Sequence, residues 1–267
     1  MNPRVLIVSK PLVPPWNDSG KNVARDVVTY ATGTAFTVLT AAGVRSPLPA
    51  AVTQVPLYRA SRTFGPRLLE NARVALFLAH QRNANVVHYF FAPNRTSSAV
   101  ARFISRFHRS QKTVQTVLSA PRDLATLSRD LFADQIVTVS RLRARQIPGS
   151  VCIPPGIPIG PLPTADERRA ARLRFGFQGH EFVALYAGDL EFSTAADLVA
   201  QCVPRLANAG AATRVVFACR TKTPRAKERD SRLMAELSAY DKVAFLGEVD
   251  GIRELLLAAD VTLLPAD

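Results

Sequence analysis

The chain has 267 residues, 48% of them hydrophobic, with 34 Lys and Arg against 21 Asp and Glu. This length suffices for about two domains with their own cores, and the apolar fraction excludes an intrinsically disordered protein. No stretch approaches the roughly 20 apolar residues of a membrane-spanning helix, and the N-terminus lacks a signal-peptide pattern. Three cysteines without metal-like spacing predict reduced thiols in a cytoplasmic protein.

Short apolar runs alternate with helical patterns along the first half of the chain. The strand candidates are 5–8, 36–40, 52–58, 86–91, 113–118 and 135–139, and the helical patterns are 20–31, 66–82, 96–109, 121–131 and 140–146. Apolar strands without alternation are typical of a sheet that is covered on both faces. Residues 1–153 are therefore predicted to form a doubly wound, parallel α/β domain.

Prolines interrupt this alternation at 154–165, which we interpret as a hinge because proline continues neither a helix nor a central strand. The alternation then restarts. The predicted strands are 181–187, 214–219, 242–246 and 261–264, and the predicted helices are 194–208, 226–239 and 251–259. Residues 166–267 are thus predicted to form a second Rossmann-like domain, with ligands bound at the carboxyl ends of the strands.

Charge divides unevenly between the two halves. Residues 1–160 hold 20 Lys and Arg against 6 Asp and Glu, whereas residues 161–267 hold 14 against 15. This asymmetry indicates an anionic partner for the first half, and a genomic bias toward arginine codons explains it equally well. A nucleic-acid partner is not expected, because the sequence has no recognisable DNA- or RNA-binding signature.

The helical pattern at 96–109 has separate apolar and basic faces. We expect the apolar face to contact the core; its members are Val100, Phe103, Ile104 and Phe107. The opposite face carries Arg102, Arg106 and Arg109. These arginines predict peripheral contact with anionic lipid at the inner membrane face, and a merely solvated face is the alternative.

The loop after the first strand contains Asn17, Asp18, Gly20 and Lys21. Gly20 permits close approach of the backbone, and the helix N-terminus together with Lys21 favours an anion such as phosphate. Helix capping alone explains the same residues. The dinucleotide fingerprint and the ATPase P-loop are both absent from the sequence.

Other candidates follow later strands. His88 lies within a predicted strand, where a packed histidine is the alternative to a catalytic one. Ser140 and Arg141 place a hydroxyl and a cation at a strand end. Arg220 and Lys222 are suited to binding a diphosphate, or are two solvated cations. The histidines have no metal-ligand spacing, so we expect no metal site.

The order of motifs along the chain is similar to that of glycosyltransferases with the GT-B fold, of the GT4 type ("glycosyl transferases group 1"). The motifs that carry the resemblance are VVHYFFAP, DQIVTVSR, IPPGIP, ALYAGDLEF, VVFACR, VAFLGEV and AADVTLLP. The resemblance extends over essentially the whole chain. It implies a retaining, metal-independent transferase without a cofactor, which moves a sugar from a nucleotide-sugar donor to a lipid-linked or polysaccharide acceptor in cell-envelope synthesis.

The resemblance also implies residue roles. The first domain binds the acceptor, with Asn17, Asp18, Ser140 and Arg141 on that side and His88 as the catalytic residue. The second domain binds the donor. The donor's phosphates and nucleobase are assigned to Gly20 and Lys21 of the first domain and to Gly188, Gly247, Glu248 and Val249 of the second. Arg220 and Lys222, one strand over from the family's usual diphosphate clamp, are our own candidates to replace it.

Three departures from the family pattern bear on activity. The family's histidine at the end of the VVH strand often lies two positions beyond His88, where this chain has Phe90. The family has an arginine after the glycine that ends the first strand of the second domain and a lysine about five residues on, but here Asp189 follows Gly188 and no lysine follows. The family's acidic E-x7-E segment is also absent, so we interpret the chain as a C-terminally truncated transferase. A non-catalytic GT-B protein that binds a nucleotide, a sugar or a partner subunit is the alternative.

Overall fold

The computed structural model describes residues 2–16, 18–59, 68–108, 110–119, 124–156, 160–191, 193–208 and 212–265. The chain divides into two compact units, Met1–Pro158 and Ile159–Asp267. Each unit has its own parallel sheet with helices, which confirms the predicted fold class. The predicted site residue Asn17, the predicted lipid contact Arg109 and hinge residues 157–159 lie outside the described residues.

The first unit is a doubly wound α/β structure. Its strands are β1 (Arg4–Val8), β2 (Ala35–Ala41), β3 (Thr53–Tyr58), β4 (Val86–Tyr89), β5 (Lys112–Val117), β6 (Gln135–Thr138) and β7 (Val151–Cys152). Its helices are α1 (Ser19–Tyr30), α2 (Leu68–His80), α3 (Arg95–Ser105), α4 (Leu124–Asp130) and α5 (Arg141–Gln146). Within the described residues, the parallel strand order is β3-β2-β1-β4-β5-β6-β7, so the topological switch point lies between β1 and β4.

Both faces of this sheet are covered. Leu6 and Ile7 are neighbours in β1 and fully buried, yet they pack in different clusters because alternate side chains of a strand point to opposite faces. Leu6 packs with Val74 of α2 and Ile104 of α3, whereas Ile7 packs with Val28 of α1. Burial on both faces explains the unbroken apolar strands of the sequence.

The second unit is also a parallel sheet covered by helices on both faces, but its sheet is smaller. Its elements are α6 (Ala165–Arg174), β8 (Phe182–Asp189), α7 (Ala195–Asn208), β9 (Thr213–Arg220), α8 (Pro224–Glu236), β10 (Val243–Phe245), α9 (Ile252–Ala258) and β11 (Val261–Thr262). In the part of the chain that is described, its strands run parallel in the order β10-β9-β8-β11. Phe217 of β9 packs on one face with α7 and α8, and Val216 packs on the other with α6 and α9.

The sequence analysis misses β7 and α6. β7 consists of two residues and lies beside a proline-rich segment. A strand of this length is too short to show a periodic pattern in the sequence. α6 is strongly charged and lacks an apolar stripe, and among its buried residues are Ala171 and Arg172. The available signal is its capping box, in which the Thr164 and Glu167 side chains each accept a hydrogen bond from the other residue's backbone N–H.

The prediction for the buried face of α3 is wrong. Phe103 and Phe107 are 60% and 70% exposed, and Val100 is exposed as well. The face toward the sheet is instead made of Ser98, Ala101 and Ile104. Small residues let the helix lie close to its neighbours, and the Ser98 hydroxyl donates a hydrogen bond to the Asp130 carbonyl at 2.7 Å.

A buried arginine joins the elements of the second unit. The Arg172 guanidinium donates hydrogen bonds to the carbonyl oxygens of Ala258, Gln178 and Glu181, at 2.9, 2.7 and 2.6 Å, and it lies 3.1 Å from Asp260 Oδ2. Burial alone opposes ionisation of Asp260. The Val183 N–H and the Arg172 guanidinium outweigh this effect and lower the pKa of the Asp260 carboxyl.

We expect Arg172→Met to destabilise the second unit by about 3 kcal/mol, because the substitution leaves three carbonyl groups without their donor and removes one of the two arginines paired with Asp260. The matched control is Arg169→Gln in the same helix, where Arg169 is 72% exposed. Its expected effect is below about 0.5 kcal/mol. Amide hydrogen exchange in β8 measures both changes, and equal loss of protection in the two variants would contradict the prediction.

Candidate functional site

The candidate site of the first unit lies at the carboxyl ends of β4 and β5. Gly20 stands at the start of α1, and a Cβ atom on it would lie 3.3 Å from the Leu118 side chain and 3.8 Å from the Phe90 carbonyl oxygen. These two residues follow β5 and β4 directly. The structure therefore brings the predicted Gly20 loop onto the strand ends beside the switch point, where doubly wound sheets bind ligands.

Asp18 and Lys21 hold this loop in shape. The Asp18 carboxylate caps α1 by accepting from the Lys21 backbone N–H, and it pairs with the Lys10 ammonium at 2.7 Å. The Lys21 ammonium is directed back into the loop, where it donates to the carbonyl oxygens of Val13 and Pro15 at 2.5 and 3.0 Å. The Lys21 side chain is buried and braces the loop, and phosphate binding by it remains a prediction.

His88 lies below these strand ends, within β4. Its Nε2 atom is 2.7 Å from the Thr116 hydroxyl of β5, and its ring lies 4.1 Å from the Phe90 ring. Burial lowers the pKa of His88 from 6.5 to about 4. The imidazole is therefore neutral at pH 7, so His88 can act there as a hydrogen-bonding group but carries no positive charge.

The low pKa of His88 makes the first unit sensitive to acid. The unfolded chain protonates this histidine near pH 6.5 and the folded chain near pH 4, so its contribution to stability is lost as the pH falls through that window. Between pH 7.5 and 5 we expect a loss of about 2 kcal/mol from this residue. The pH dependence of the melting temperature should be weaker in His88→Gln, and unchanged in the control His80→Gln. Parallel pH profiles of wild type and His88→Gln would contradict the assignment.

Ser140 and Arg141 stand at the end of β6 in the same sheet. The Ser140 hydroxyl caps α5 by accepting from the Arg143 N–H at 3.2 Å. Arg141 is exposed in the first turn of α5. Helix capping thus explains why a serine stands at position 140. Acceptor binding by Ser140 or Arg141 stays a prediction.

The candidate site of the second unit lies at the ends of β8 and β9. The two strands are in register, so Gly188 pairs with Cys219 and Asp189 with Arg220. The Asp189 carboxylate lies 3.8 Å from the Arg220 guanidinium. A Cβ atom on Gly188 would be 2.6 Å from the Tyr186 hydroxyl, so this phenol occupies the space that any larger residue at 188 needs.

Glu191 is a feature of this site that the sequence analysis misses. It is 8% exposed, and its Oε1 atom accepts a hydrogen bond from the Lys222 backbone N–H at 2.5 Å. Its Oε2 atom is buried without a hydrogen-bond partner among the described residues. A carboxylate therefore lies against Lys222 and close to the Asp189–Arg220 pair. The only sequence signal was the acidic character of the segment after Gly188.

The segment predicted to border the nucleobase follows β10. Gly247 has a φ of +67°, a left-handed conformation that favours glycine, and it turns the chain directly after the strand. Glu248 is exposed, and Val249 packs partly against the core beside α9. Recognition of a nucleobase through the backbone of these residues stays a prediction.

The described residues contain no group of three or more His, Cys, Asp and Glu side chains that could hold a metal ion. The same part of the chain contains no helix with both the length and the apolar character needed to cross a bilayer.

No protein-family model and no curated protein matches the sequence. Solved structures do match. One match is HepE from Anabaena, solved with UDP and glucose, which is 14% identical in sequence and superposes with a TM-score of 0.67. The matched region spans 97% of this chain and 73% of the HepE chain. The catalytic domain of starch synthase IV from Arabidopsis thaliana, bound to ADP and acarbose, is 11% identical with a TM-score of 0.68, over 98% and 77%. WaaG, a glycosyltransferase involved in lipopolysaccharide biosynthesis, is 18% identical with a TM-score of 0.60, over 98% and 75%.

The fold is GT-B. The likeness extends over nearly the whole chain and over both units. At these identities it shows the fold alone, which is the fold that the resemblance in sequence implied.

Proposed function

We propose that this chain is a retaining, metal-independent glycosyltransferase of the GT4 type. It would transfer a sugar from a nucleotide-sugar donor to a lipid-linked or polysaccharide acceptor in cell-envelope synthesis, at the cytoplasmic face of the membrane. The observation that carries this proposal is the GT-B likeness over 97% of the chain to a protein solved with UDP and glucose. The same protein has also been solved with UDP-glucose, and the catalytic domain of starch synthase IV has been solved with ADP.

Arg220 and Lys222 are proposed to bind the donor diphosphate from the end of β9. When the bond between the anomeric carbon and the diphosphate breaks, negative charge develops on the leaving oxygen, and cationic side chains stabilise it without a metal. Backbone groups of Gly188 would border the diphosphate at the end of β8, and backbone groups of Gly247, Glu248 and Val249 would border the nucleobase.

The acceptor side is proposed to lie at the strand ends of the first unit. Asp18 lies in the loop above β4 and β5, and Ser140 and Arg141 follow the neighbouring strand β6. Gly20 and Lys21 of the same loop are proposed to face the donor phosphates. His88 is the proposed catalytic residue. Because it is neutral at pH 7, its role would be to hydrogen-bond the transferred sugar rather than to balance charge.

Binding of nucleoside diphosphates tests the donor assignment. UDP, ADP and GDP are titrated into the protein by calorimetry, and slow hydrolysis of the matching donor is measured with a chelator present. The Arg220→Ala/Lys222→Ala variant should bind the diphosphate about tenfold or more weakly, since two charge-assisted contacts are lost. The control is Arg232→Ala, a half-exposed arginine of α8 paired with Asp197 and Glu236. Equal affinity of wild type and the double variant removes both residues from the site, and binding without hydrolysis favours the non-catalytic alternative.

Glu191 should weaken this binding in the wild-type protein. A carboxylate near a diphosphate repels it, and removing one such charge is worth on the order of 1 kcal/mol at short range in a hydrated site. Glu191→Gln keeps the acceptor for the Lys222 N–H. We therefore expect the variant to bind UDP or ADP about fivefold more tightly. Weaker binding by Glu191→Gln would show that the carboxylate contacts the ligand directly.

A further inference from the structure

Helices α2 and α3 form one outer surface of the first unit. Val74 and Leu78 of α2 and Ala101 and Ile104 of α3 pack against the same face of the sheet. A ring nitrogen of His108, just after α3, lies 3.0 Å from the Ala79 carbonyl oxygen of α2 and links the two helices. The sides that point away from the sheet are therefore neighbours, and we call them the α2–α3 surface.

Large apolar side chains are exposed on this surface. Leu69 and Leu76 of α2 are 75% and 63% exposed, and Phe103 and Phe107 are 60% and 70% exposed. The two phenylalanine rings contact each other edge to face, with their centres 5.0 Å apart. Apolar residues gathered on one surface are typical of a site that meets a protein or a membrane.

The charged side chains of the α2–α3 surface are basic. Arg73 and Arg106 are exposed beside the apolar residues. Arg102 is also exposed, and it donates to the carbonyl oxygens of Arg129 and Leu131 near the end of α4. In the described helices α2 and α3 the one acidic residue is Glu70, which is buried and accepts from the Arg59 N–H at 2.9 Å. An apolar surface with cations and no exposed carboxylate is complementary to anionic lipid headgroups.

A groove adjoins this surface at the edge strand β3. Its volume is about 520 Å³, and its lining is mainly apolar. The lining residues are Pro56, Leu57, Arg73, Leu76, Phe77 and His80. Arg73 and Leu76 belong to both the groove and the α2–α3 surface. If the acyl chain of a lipid enters the groove, the headgroup of that lipid would therefore lie beside Arg73.

We propose that the α2–α3 surface docks on a bilayer of anionic phospholipids. Leu69, Leu76, Phe103 and Phe107 enter the interface between headgroups and acyl chains, and Arg73 and Arg106 bind lipid phosphates. This differs from the arginine stripe predicted from the sequence, in which the phenylalanines belong to the core. The docking needs no transfer activity, so binding to lipid alone tests it and its failure leaves the proposed transferase untouched.

Vesicle sedimentation with the full chain measures the docking. The probes are vesicles of phosphatidylcholine alone and vesicles with about one third phosphatidylglycerol, which supplies the anionic surface. We expect binding to the anionic vesicles, weaker binding at high salt, and little binding to pure phosphatidylcholine. Equal binding to both vesicles, or none to the anionic ones, overturns the proposal.

Two variants separate the apolar and basic contributions. Phe103→Ser/Phe107→Ser should bind anionic vesicles at least about tenfold more weakly, because the variant loses the two exposed aromatic rings that docking would bury in the bilayer. Arg73→Gln/Arg106→Gln should also bind about tenfold more weakly, and the residual binding should depend less on salt. All four side chains are exposed, so circular dichroism should show that both variants fold as the wild type does.

Matched controls remove similar groups elsewhere in the first unit. Tyr30→Ser/Leu142→Ser removes two apolar side chains that are 64% and 68% exposed, and Arg4→Gln/Arg145→Gln removes two exposed arginines. The apolar control should bind as the wild type does, and the charge control should lose less affinity than Arg73→Gln/Arg106→Gln. Sedimentation velocity tests the competing occupant, a second copy of the chain. A dimer that Phe103→Ser/Phe107→Ser dissociates, together with unchanged lipid binding, overturns the proposal.

Discussion

Parallel hydrogen bonding between strands positions both candidate sites. In a parallel sheet the strands end at one edge, so loops that are distant in sequence meet there. In the first unit this brings Gly20 within contact of the residues that follow β4 and β5. In the second unit the register of β8 and β9 sets Asp189 opposite Arg220. Every strand pair among the described residues is parallel, so the same constraint acts in both sheets.

The sequence predicts the sheets well because strands buried on both faces are unbroken apolar runs between breakers, and the observed strands lie close to those runs. It predicts side-chain partners poorly. Lys21 looks like an anion ligand at a helix start, but its ammonium donates to the carbonyl oxygens of Val13 and Pro15. The burial of Glu191 beside Lys222 depends on how two loops meet. Neither arrangement leaves a local pattern, because each is decided by tertiary packing.

Helix α3 shows why an apolar stripe does not by itself identify the buried face. Phe103 in the helix and Phe107 just after it have the spacing of a core-facing stripe, yet the face of α3 toward the sheet is Ser98, Ala101 and Ile104. Ser98 can be buried because its hydroxyl has a partner, the Asp130 carbonyl. Exposure of the two aromatic rings to water is unfavourable, and this free-energy cost is recovered when the rings enter the acyl-chain region of a bilayer. This is the physical reason for the docking proposal.

The direction of α2 and α3 relates the proposed docking surface to the candidate site of the first unit. Each helix connects the carboxyl end of one parallel strand to the start of another, so its first residues lie at the sheet edge that carries the candidate site. Leu69 in the first turn of α2 and Arg95 at the start of α3 therefore lie toward that edge, and Phe103 lies toward the opposite one. Because this surface extends from one edge of the sheet to the other, it would let the proposed lipid-linked acceptor lie along the unit with its headgroup toward the strand ends near Asp18. The proposed docking and the proposed acceptor binding are thus compatible within the first unit.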